Sequence, residues 1–457
     1  MKKHKKALFI FRRDLRIDDN TGLIKAHDNS ELVLTCFIID PRQIEKNEYR
    51  SENAIQFMTE SLLDLQEQID LKGGRLFFFS GKAHNVVEML IESQKIDAVY
   101  LNRDYTIFSI ERDKEIRKVC KDQGIPYFEY CDSLLNEPED VLKKDGTPYT
   151  IFTPFYKNSI IRSVSNPLNN NYSNYYIGDD KKGNSSQLIK LSEKKNKFIH
   201  LSGGRKNFLE ILGNMNSFKR YEFERDIPSK NSTTNLSAHL KFGTGSIREV
   251  FNAIKKNLDF EHPLIRQLYW RDFYTHIAFH FPHVFGSSFK RKYDMINWMN
   301  NEDLFKSWSM GETGFPIVDA GMRQLNKTGF MHNRVRMITA SFLTKDLHID
   351  WRWGEKYFAR KLVDYDPSVN NGNWQWASST GCDAQPYFRI FNPWLQQKKY
   401  DPDSVYIKKW IPELKETPSK VINNLFKFDK IEGKIYPKPI VNHEKESKFS
   451  KFQFREL

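Results

Sequence analysis

The chain has 457 residues, and 71 Lys and Arg against 58 Asp and Glu give it a net charge of +13. Its mean hydropathy is −0.64, and no apolar run approaches the ~18 residues of a membrane span. The four cysteines form no C-x-x-C pair, which argues against a disulfide scaffold, a zinc ribbon and an iron–sulfur cluster. All nine tryptophans lie between Trp270 and Trp410. This asymmetry indicates that the two halves have different functions. The positive net charge suggests a polyanionic partner such as nucleic acid.

Four short apolar runs in the first half have the composition of buried strands, at residues 7–11, 32–39, 75–79 and 97–101. Amphipathic stretches of helical period separate them, for example residues 53–69 and 84–94. This alternation predicts an α/β domain over residues 1–135, with a doubly wound parallel sheet. No G-x-G-x-x-G follows the first strand, so dinucleotide binding by the usual route is unsupported. The basic N-terminus lacks the apolar stretch of a secretory signal, and we expect a cytoplasmic location, nucleoid-associated in a prokaryote.

The composition changes twice after residue 135. Residues 136–202 are predicted to be an interdomain linker, and the Asn-, Ser- and Tyr-rich stretch 163–197 within it is expected to be exposed and partly disordered. From residue 203 to 415, apolar residues recur at spacings of three and four, which predicts an all-α domain. Residues 416–457 form a Lys-rich, weakly patterned tail to which we assign no function.

Three helical-domain segments carry side chains that suit neither a core nor a plain surface. Gln267, Trp270, Arg271 and Tyr274 share one helical face, and buried polar groups there need partners. In MHNRVRM (331–337), two arginines flank a similar face. The segment 362–394 combines two acids, adjacent Asn residues and two tryptophans, which indicates a ligand pocket with flat surfaces for a ring system.

A fourth segment, Thr233 to Ser237, places hydroxyl and amide side chains just before a helical run. Such residues either cap the helix or hold a phosphate at its free N–H groups. The local pattern leaves both readings open.

Long motifs show that residues 6–414 resemble the photolyase/cryptochrome family, and in detail the class I cyclobutane pyrimidine dimer photolyases. These motifs are FRRDLRIDDN (11–20), LSAHLKFG (236–243), WRDFY (270–274), GETGFPIVDAGMRQL (311–325), MHNRVRM and NNGNWQWASSTGCDAQPYFRIFNP (370–393). The resemblance implies an enzyme that acts as a monomer on DNA containing pyrimidine dimers. Reduced FAD would absorb blue light and donate an electron that splits the dimer and then returns.

The resemblance also implies which residues hold FAD in the helical domain. The residues that match the family's cofactor contacts are Tyr221, Thr233, Thr234, Asn235, Leu236, Ser237, Arg271, Asp364, Asp366 and Asn370. Asn235 stands where many relatives have Arg or Ser. Asn370 matches the residue that faces the flavin N5, where an amide can either accept or donate a hydrogen bond.

Further matches imply the electron path and the DNA contacts. Trp374, Trp351 and Trp298 match the family's electron-transfer chain from flavin to surface. The flipped-out lesion would lie between Trp270 and Trp376, with Asn333, Arg334 and Met337 lining the pocket. Arg389, with Lys398 and Lys399, would face the DNA phosphates. The remaining tryptophans, including Trp308, Trp353, Trp394 and Trp410, are interpreted as core or surface residues.

Gln267 departs from the class I pattern, which has Glu at the position that hydrogen-bonds the damaged base. Gln occurs there in (6-4) photolyases and animal-type cryptochromes, and an amide supplies neither a proton nor a charge. Met337 favours dimer repair, because (6-4) activity is associated with His at that position. The alternatives are a (6-4) photolyase and a cryptochrome photoreceptor without repair; a flavin-free helical DNA-binding module is a more distant one.

The α/β domain of this family carries a second, light-harvesting chromophore. Residues 50–65 and 102–113 resemble that domain. The folate pattern needs Asn-Glu and Cys-Lys where this chain has Phe108-Ser109 and Phe285-Gly286. The chain therefore favours a deazaflavin or a second flavin over folate.

Overall fold

The structure, a computed structural model, describes residues 2–45, 47–178, 188, 191, 195–427 and 436–457. Contacts divide the chain into two compact units. Unit 1 comprises Met1–Asn196, Leu201–Asn216 and Thr234–His280, and unit 2 comprises Lys197–His200, Ser217–Thr233 and Phe281–Leu457. The predicted boundaries at residues 135, 202 and 415 stay a prediction. Within the expected partly disordered stretch 163–197, residues 179–187, 189, 190 and 192–194 lie outside the described residues.

A five-stranded parallel sheet forms the centre of unit 1. Its strands are β1 (His4–Phe11), β2 (Ser30–Ile39), β3 (Leu76–Ser80), β4 (Ala98–Asn102) and β5 (Tyr127–Tyr130), in the order β3-β2-β1-β4-β5. The predicted doubly wound sheet is therefore confirmed. The apolar runs form its buried middle because helices cover both faces of such a sheet. Strand β5 was not predicted, since it is four residues long, half-buried and interrupted by Glu129.

The helices up to residue 280 belong to unit 1 except for α8, which belongs to unit 2. In chain order they are α1 (Thr21–Asn29), α2 (Pro41–Ile44), α3 (Glu52–Leu71), α4 (Ala83–Gln94), α5 (Ile107–Asp122), α6 (Phe152–Ser159), α7 (Arg205–Gly213), α8 (Tyr221–Glu224), α9 (Ser237–Phe242), α10 (Ile247–Asn257) and α11 (Pro263–His280). Capping side chains stabilise the first turn of several of these helices. The side chain of Ser51 caps α3, and Ser246 and Glu249 form a capping box at α10.

The described part of unit 2 is helical, as the spacing of apolar residues predicts. Its further helices are α12 (Glu302–Met310), α13 (Pro316–Thr328), α14 (Asn333–Lys345), α15 (Trp351–Lys361), α16 (Pro367–Ser378), α17 (Pro393–Tyr400), α18 (Val405–Trp410), α19 (Ser419–Ile422) and α20 (His443–Arg455). The tryptophans left without a role belong to its core: Trp308 and Trp394 are buried in it, and Trp353 and Trp410 pack against it. No helix among the described residues is both long and apolar enough to cross a membrane.

Helix α20 lies in the segment to which the sequence assigned no function, and two histidine–carboxylate pairs hold it to the rest of unit 2. His443 Nδ1 lies 2.5 Å from Asp346 Oδ1, and His348 Nε2 lies 2.9 Å from Glu446 Oε2. Each side therefore supplies one histidine and one carboxylate. Gln453 Nε2 adds a hydrogen bond of 3.1 Å to the backbone oxygen of Asn297.

Lys345 is buried beneath the same helix. Its Nζ lies 3.5 Å from the centroid of the Phe454 ring and has no hydrogen-bond partner among the described residues. Burial lowers the pKa of Lys345 well below its ordinary value. The folded protein therefore holds fewer protons here than the unfolded chain, so this residue makes stability rise with pH up to about 10.4, the ordinary lysine pKa.

Replacing Lys345 with methionine is expected to raise the free energy of unfolding near pH 7 by about 1 kcal/mol or more. Methionine has a similar shape but carries no proton, so its advantage should shrink as the pH rises. Urea denaturation at pH 7 and pH 10 measures both effects. Lys448→Met is the matched control, because that side chain is 74% exposed. A Lys345→Met protein less stable than wild type at pH 7 would show that the ammonium group is stabilising.

Candidate functional site

The start of helix α16 carries one of the predicted flavin contacts. Asp366 caps this helix, and its Oδ1 accepts the backbone N–H groups of Ser368 at 3.1 Å and Val369 at 3.2 Å. Pro367 occupies the first helical position, where no backbone N–H is needed. The Asp-Pro sequence therefore both begins the helix and orients the Asp366 carboxylate.

Asp364, two residues earlier, is held by an arginine. Arg336 Nη2 donates to Asp364 Oδ1 at 3.2 Å and to Oδ2 at 3.0 Å, while its Nε donates to the backbone oxygen of Met331 at 2.7 Å. The side chain of Asp364 is 4% exposed. The sequence alone does not indicate which arginine pairs with this acid. The structure selects Arg336, and Arg334 pairs instead with Asp226 at 2.6 Å.

Asn370 lies in the first turn of α16 and is oriented by a residue that the sequence analysis missed. Its Nδ2 donates to the backbone oxygen of Glu355 at 3.2 Å and to Glu355 Oε1 at 2.9 Å. Both partners are acceptors, so they fix which end of the amide is the NH₂ group and turn Oδ1 the other way. Both residues are buried. A single Glu on the neighbouring helix α15 carries no sequence signal for this contact.

The three tryptophans predicted to carry electrons all lie in unit 2. Trp374 and Trp351 are 2% and 1% exposed, and Trp298 is half-buried against the same core. The ring of Trp374 lies 4.9 Å from that of Phe358 and 6.2 Å from that of Trp308, centroid to centroid. In the described part of the chain, no such ring contact joins Trp351 to Trp374 or to Trp298. The path through these three residues stays a prediction.

Helix α11 in unit 1 carries Gln267, Trp270 and Arg271, all partly exposed. The Trp270 ring stacks on Phe152 of α6 with 3.6 Å between centroids and 7° between planes, and it contacts Tyr274 at 5.5 Å. Trp270 and Tyr274 thus share a face, as their spacing predicts. Phe152 was missed, because a phenylalanine in a segment predicted as linker gave no sign of a partner.

Arg271 is fixed by backbone oxygens of unit 1. Its Nη1 donates to the carbonyl of Ser133 at 2.6 Å, and its Nη2 donates to that of Leu240 at 3.4 Å. The guanidinium group is therefore held in a defined orientation on α11.

Helix α14 in unit 2 carries the residues predicted to line the lesion pocket. Asn333 is exposed, Met337 is half-buried, and Asn333 Nδ2 lies 3.9 Å from the Met337 sulfur. The guanidinium of Arg334 lies 4.4 Å from the centroid of the Tyr400 ring. Trp376 is half-buried against the unit 2 core, and Arg389 is exposed. Their lesion and DNA contacts stay predictions.

The predicted cofactor-phosphate segment runs from Tyr221 and Thr233 in unit 2 into Thr234 to Ser237 in unit 1. Helix α9 begins at Ser237 with Leu236 as its cap residue, and the Leu236 side chain makes no cap hydrogen bond. Asn235 has a positive φ of 57°, a conformation that asparagine tolerates better than most residues. A helix cap and a phosphate site therefore both stay predictions for this motif.

A group of arginines and acids lies near the carboxyl ends of β1 and β4 in unit 1. Arg12 Nη1 contacts both carboxylate oxygens of Asp113, at 2.5 and 2.6 Å, and Arg112 Nε donates to the same carboxylate at 2.9 Å. The Nη2 atoms of both arginines are buried and have no hydrogen-bond partner among the described residues. Phe108 lies beneath the guanidinium groups of Arg42, at 4.9 Å, and Arg112, at 5.9 Å. Strands β1 and β4 adjoin where the sheet order reverses, which is the usual ligand position in such sheets.

Comparison with known proteins places both parts of the chain in one family. The family model described as DNA photolyase matches residues 7–167, and the model described as the FAD binding domain of DNA photolyase matches residues 264–456. A deoxyribodipyrimidine photo-lyase of Alkalihalophilus pseudofirmus is 38% identical, and the match covers 96% of this chain and 95% of that protein.

Two solved structures extend the similarity. A photolyase from the archaeon Sulfolobus tokodaii, which contains two FAD molecules, is 43% identical with a TM-score of 0.89, covering 99% of this chain and 100% of that one. A class III photolyase from Agrobacterium tumefaciens is 34% identical with a TM-score of 0.93, covering 100% and 98%. The class I assignment stays a prediction. With matches of this identity over nearly the whole chain, the protein belongs to the photolyase/cryptochrome family.

Proposed function

We propose that this protein is a light-driven, FAD-dependent enzyme that splits cyclobutane pyrimidine dimers in DNA. The observation that carries the proposal is the near-full-length match to deoxyribodipyrimidine photo-lyases, of which one is 38% identical over 96% of the chain. The match spans both the sheet of unit 1 and the helices that carry Asp364, Asp366 and Asn370.

The side chains of unit 2 fit a flavin. An isoalloxazine ring offers N–H donors and carbonyl acceptors, and Asp364, Asp366 and Asn370 supply two carboxylates and an amide within seven residues. Arg336 and the N-cap bonds hold the two carboxylates, and Glu355 fixes the amide. When bound and reduced, FAD supplies an excited electron donor for the dimer. The protein's part is to orient the ring through side chains that are themselves held, so that little reorganisation accompanies the transfer.

The lesion requires flat apolar surfaces together with polar groups that recognise pyrimidine edges. Trp270, held flat by Phe152, offers such a surface in unit 1. In unit 2, Trp376, Met337 and Asn333 combine an aromatic ring, a polarisable thioether and an amide. Flipping the damaged bases out costs a few kcal/mol, less than for an intact pair, because the dimer is already poorly stacked.

The test is the light-dependent loss of dimers from DNA incubated with the FADH⁻ form of the protein. Dimers should disappear under blue light and persist in the dark. Loss of (6-4) lesions instead would show that the interpretation of Met337 is wrong. A flavin-loaded, reduced protein that leaves both lesions intact would support a photoreceptor without repair.

Gln267→Glu is expected to raise the repair yield. A carboxyl group restores the charge and proton-donating capacity at the position predicted to bond the damaged base, and a hydrogen bond to a charged group is worth about 1.5–3 kcal/mol. The yield of dimers split per photon absorbed, measured at saturating DNA, reports this effect. Gln267→Leu controls for shape and should lower the yield. Equal repair yields with Glu and Gln at position 267 would show that a carboxyl group there does not improve repair.

We further propose that the second chromophore is a flavin that carries phosphate, such as a second FAD. Among the described residues, the buried Nη2 atoms of Arg12 and Arg112 have no hydrogen-bond partner, which favours an anionic group such as a phosphate. The similar photolyase with two FAD molecules supports this choice.

Chromatography of the cofactors released by denaturation tests the second flavin. Two FAD molecules per chain are expected from the wild-type protein. Arg112→Gln should retain one, because the glutamine side chain is neutral and cannot compensate the charge of a phosphate. Release of a deazaflavin or a folate, or of two FAD molecules from Arg112→Gln, would contradict the proposal of a second flavin. It would not contradict the proposed repair of pyrimidine dimers.

A further inference from the structure

Helix α11 carries an exposed arginine, Arg266, one residue before Gln267. Its guanidinium carbon lies 5.1 Å from the centroid of the Phe152 ring and 5.5 Å from that of the Tyr156 ring, both on α6. A cation over the face of an aromatic ring is attracted by the negative charge of that face. The two rings therefore hold the Arg266 guanidinium group in place at the surface of unit 1.

Trp270 lies beside Arg266 on the same helix. It follows about one helical turn later, about 6 Å along the axis, and stacks on the same Phe152 ring with 3.6 Å between centroids. Phe152 thus contacts both the guanidinium group and the partly exposed indole ring. A ligand that lies against Trp270 therefore comes close to the guanidinium group of Arg266.

Arg266 has no ion-pair partner in the part of the chain that the structure describes. None of the described residues forms an ion pair or a hydrogen bond with its side chain. The acid nearest to the same ring is Glu261, which is exposed. Burial raises the pKa of Tyr156, and the charges of Arg266 and Glu261 act on that pKa in opposite directions. The guanidinium group is therefore held by aromatic rings and not by a carboxylate.

The segment around α6 also favours an anionic ligand. From Gly146 to Gly178 the chain contains no Asp or Glu. The two charged residues of this segment are Lys157, which directly follows Tyr156, and Arg162, and both are exposed. A surface with positive and without negative side chains is typical of sites that bind the phosphates of nucleic acids.

A phosphate is the anion that an arginine held in this way binds best. The planar guanidinium group can donate two parallel hydrogen bonds to phosphate oxygens. Because the rings already restrict the side chain, less conformational entropy is lost when it binds. An aromatic surface beside an arginine thus offers a contact for a base and a contact for a phosphate of the same strand.

We propose that Arg266 binds a backbone phosphate of the DNA strand whose damaged bases lie against Trp270. This inference rests on the proposed function, which supplies the DNA and the contact with Trp270. A phosphate contact carries no information about sequence or damage, but it fixes the position of the strand. Phe152 supports both contacts, because Arg266 and Trp270 lie against the same ring.

DNA binding by the full-length, flavin-loaded protein in the dark tests this contact. Arg266→Gln should weaken binding to dimer-containing and to undamaged duplexes by a similar factor, about tenfold at low salt. It should also reduce the slope of log affinity against log salt concentration by about one. Arg266→Lys should restore the slope, because it restores the charge. A loss confined to dimer-containing DNA, with an unchanged slope, would overturn the proposal.

Arg117 of α5 provides a matched control in unit 1. Its side chain is 57% exposed and its guanidinium carbon lies 5.1 Å from the centroid of the Tyr127 ring, but Glu129 pairs with it at 2.9 Å. Arg117→Gln should therefore leave the affinities for both duplexes and the salt slope unchanged. Equal losses in Arg117→Gln and Arg266→Gln would reflect the net charge alone and would overturn the proposal.

Neutral phosphate analogues identify the group that Arg266 contacts. Duplexes in which a single phosphate beside the dimer is replaced by methylphosphonate are compared for the wild type and Arg266→Gln. At one position, the replacement should weaken binding about tenfold for the wild type and about twofold or less for the variant. If no position shows this difference, Arg266 does not bind a phosphate of that strand. Repair is measured separately under light, so a protein that shows the difference but leaves dimers intact would refute the proposed function and not this inference.

Discussion

Replacing Gly354 with alanine is expected to destabilise unit 2 by about 1–3 kcal/mol, the usual cost of overpacking a core. A Cβ at position 354 would overlap Cη2 of Trp374 and lie 2.5 Å from Cδ2 of Leu343. Trp374 cannot retreat easily, because it is enclosed by Phe358 and Trp308. The new methyl group must therefore displace the indole or the backbone of α15.

The sign of this effect is informative, because Gly→Ala in a helix normally stabilises by about 0.5–1 kcal/mol. Gly213, the last residue of α7, is the matched control: no atom lies within 4 Å of the position that an added Cβ would take there. Urea denaturation of both variants should give changes of opposite sign. A displaced Trp374 should also slow the light-driven reduction of oxidised flavin. Increased stability in Gly354→Ala would mean that Trp374 has room to move.

Breaking the Arg336–Asp364 ion pair should lower the free energy of unfolding by a similar amount. Arg336→Gln removes the arginine that pairs with the nearly buried Asp364 carboxylate. We expect a cost of about 3 kcal/mol, the lower end of the range for buried pairs, because Arg336 is 24% exposed. Asp364→Asn should weaken FAD binding by about tenfold or more, because a charged acceptor is lost. Denaturation and the ratio of bound FAD to protein measure the two effects.

A double-mutant cycle separates the pair from its surroundings. Arg336→Gln with Asp364→Asn should cost less than the two single changes together, with a coupling of about 1–2 kcal/mol. The pair Arg334–Asp226 is the control, because Asp226 is 32% exposed and such pairs contribute about 1 kcal/mol or less. Additive effects at Arg336 and Asp364 would show that the bonds between them contribute nothing to folding.

The extent of sequence-based prediction differs between the two units. Four of the five strands were predicted within a few residues, because an apolar run covered on both sides has a composition of its own. Strand β5 was not predicted, because Glu129 and its partial burial give it a less apolar composition than the other strands. The helices of unit 2 were predicted as a class from apolar spacing, and their Asp-Pro and Asn starts are visible in the sequence.

Site residues on one helix could be related from the sequence, but partners on different elements could not. The spacing of Trp270 and Tyr274, or of Asn333 and Met337, follows from the helical repeat alone. Glu355 and Phe152, by contrast, meet Asn370 and Trp270 only after the chain has folded.

The sequence by itself determined the fold class, the family and the residue types that a flavin and a damaged base require. These properties depend on composition, on short-range periodicity and on long motifs. The tertiary structure alone decided which arginine pairs with Asp364 and which acid holds Asn370. Those choices depend on distances and burial between elements far apart in the chain. The positive net charge agrees with the proposed DNA substrate. The restriction of the tryptophans to the second part of the chain agrees with its division into two units.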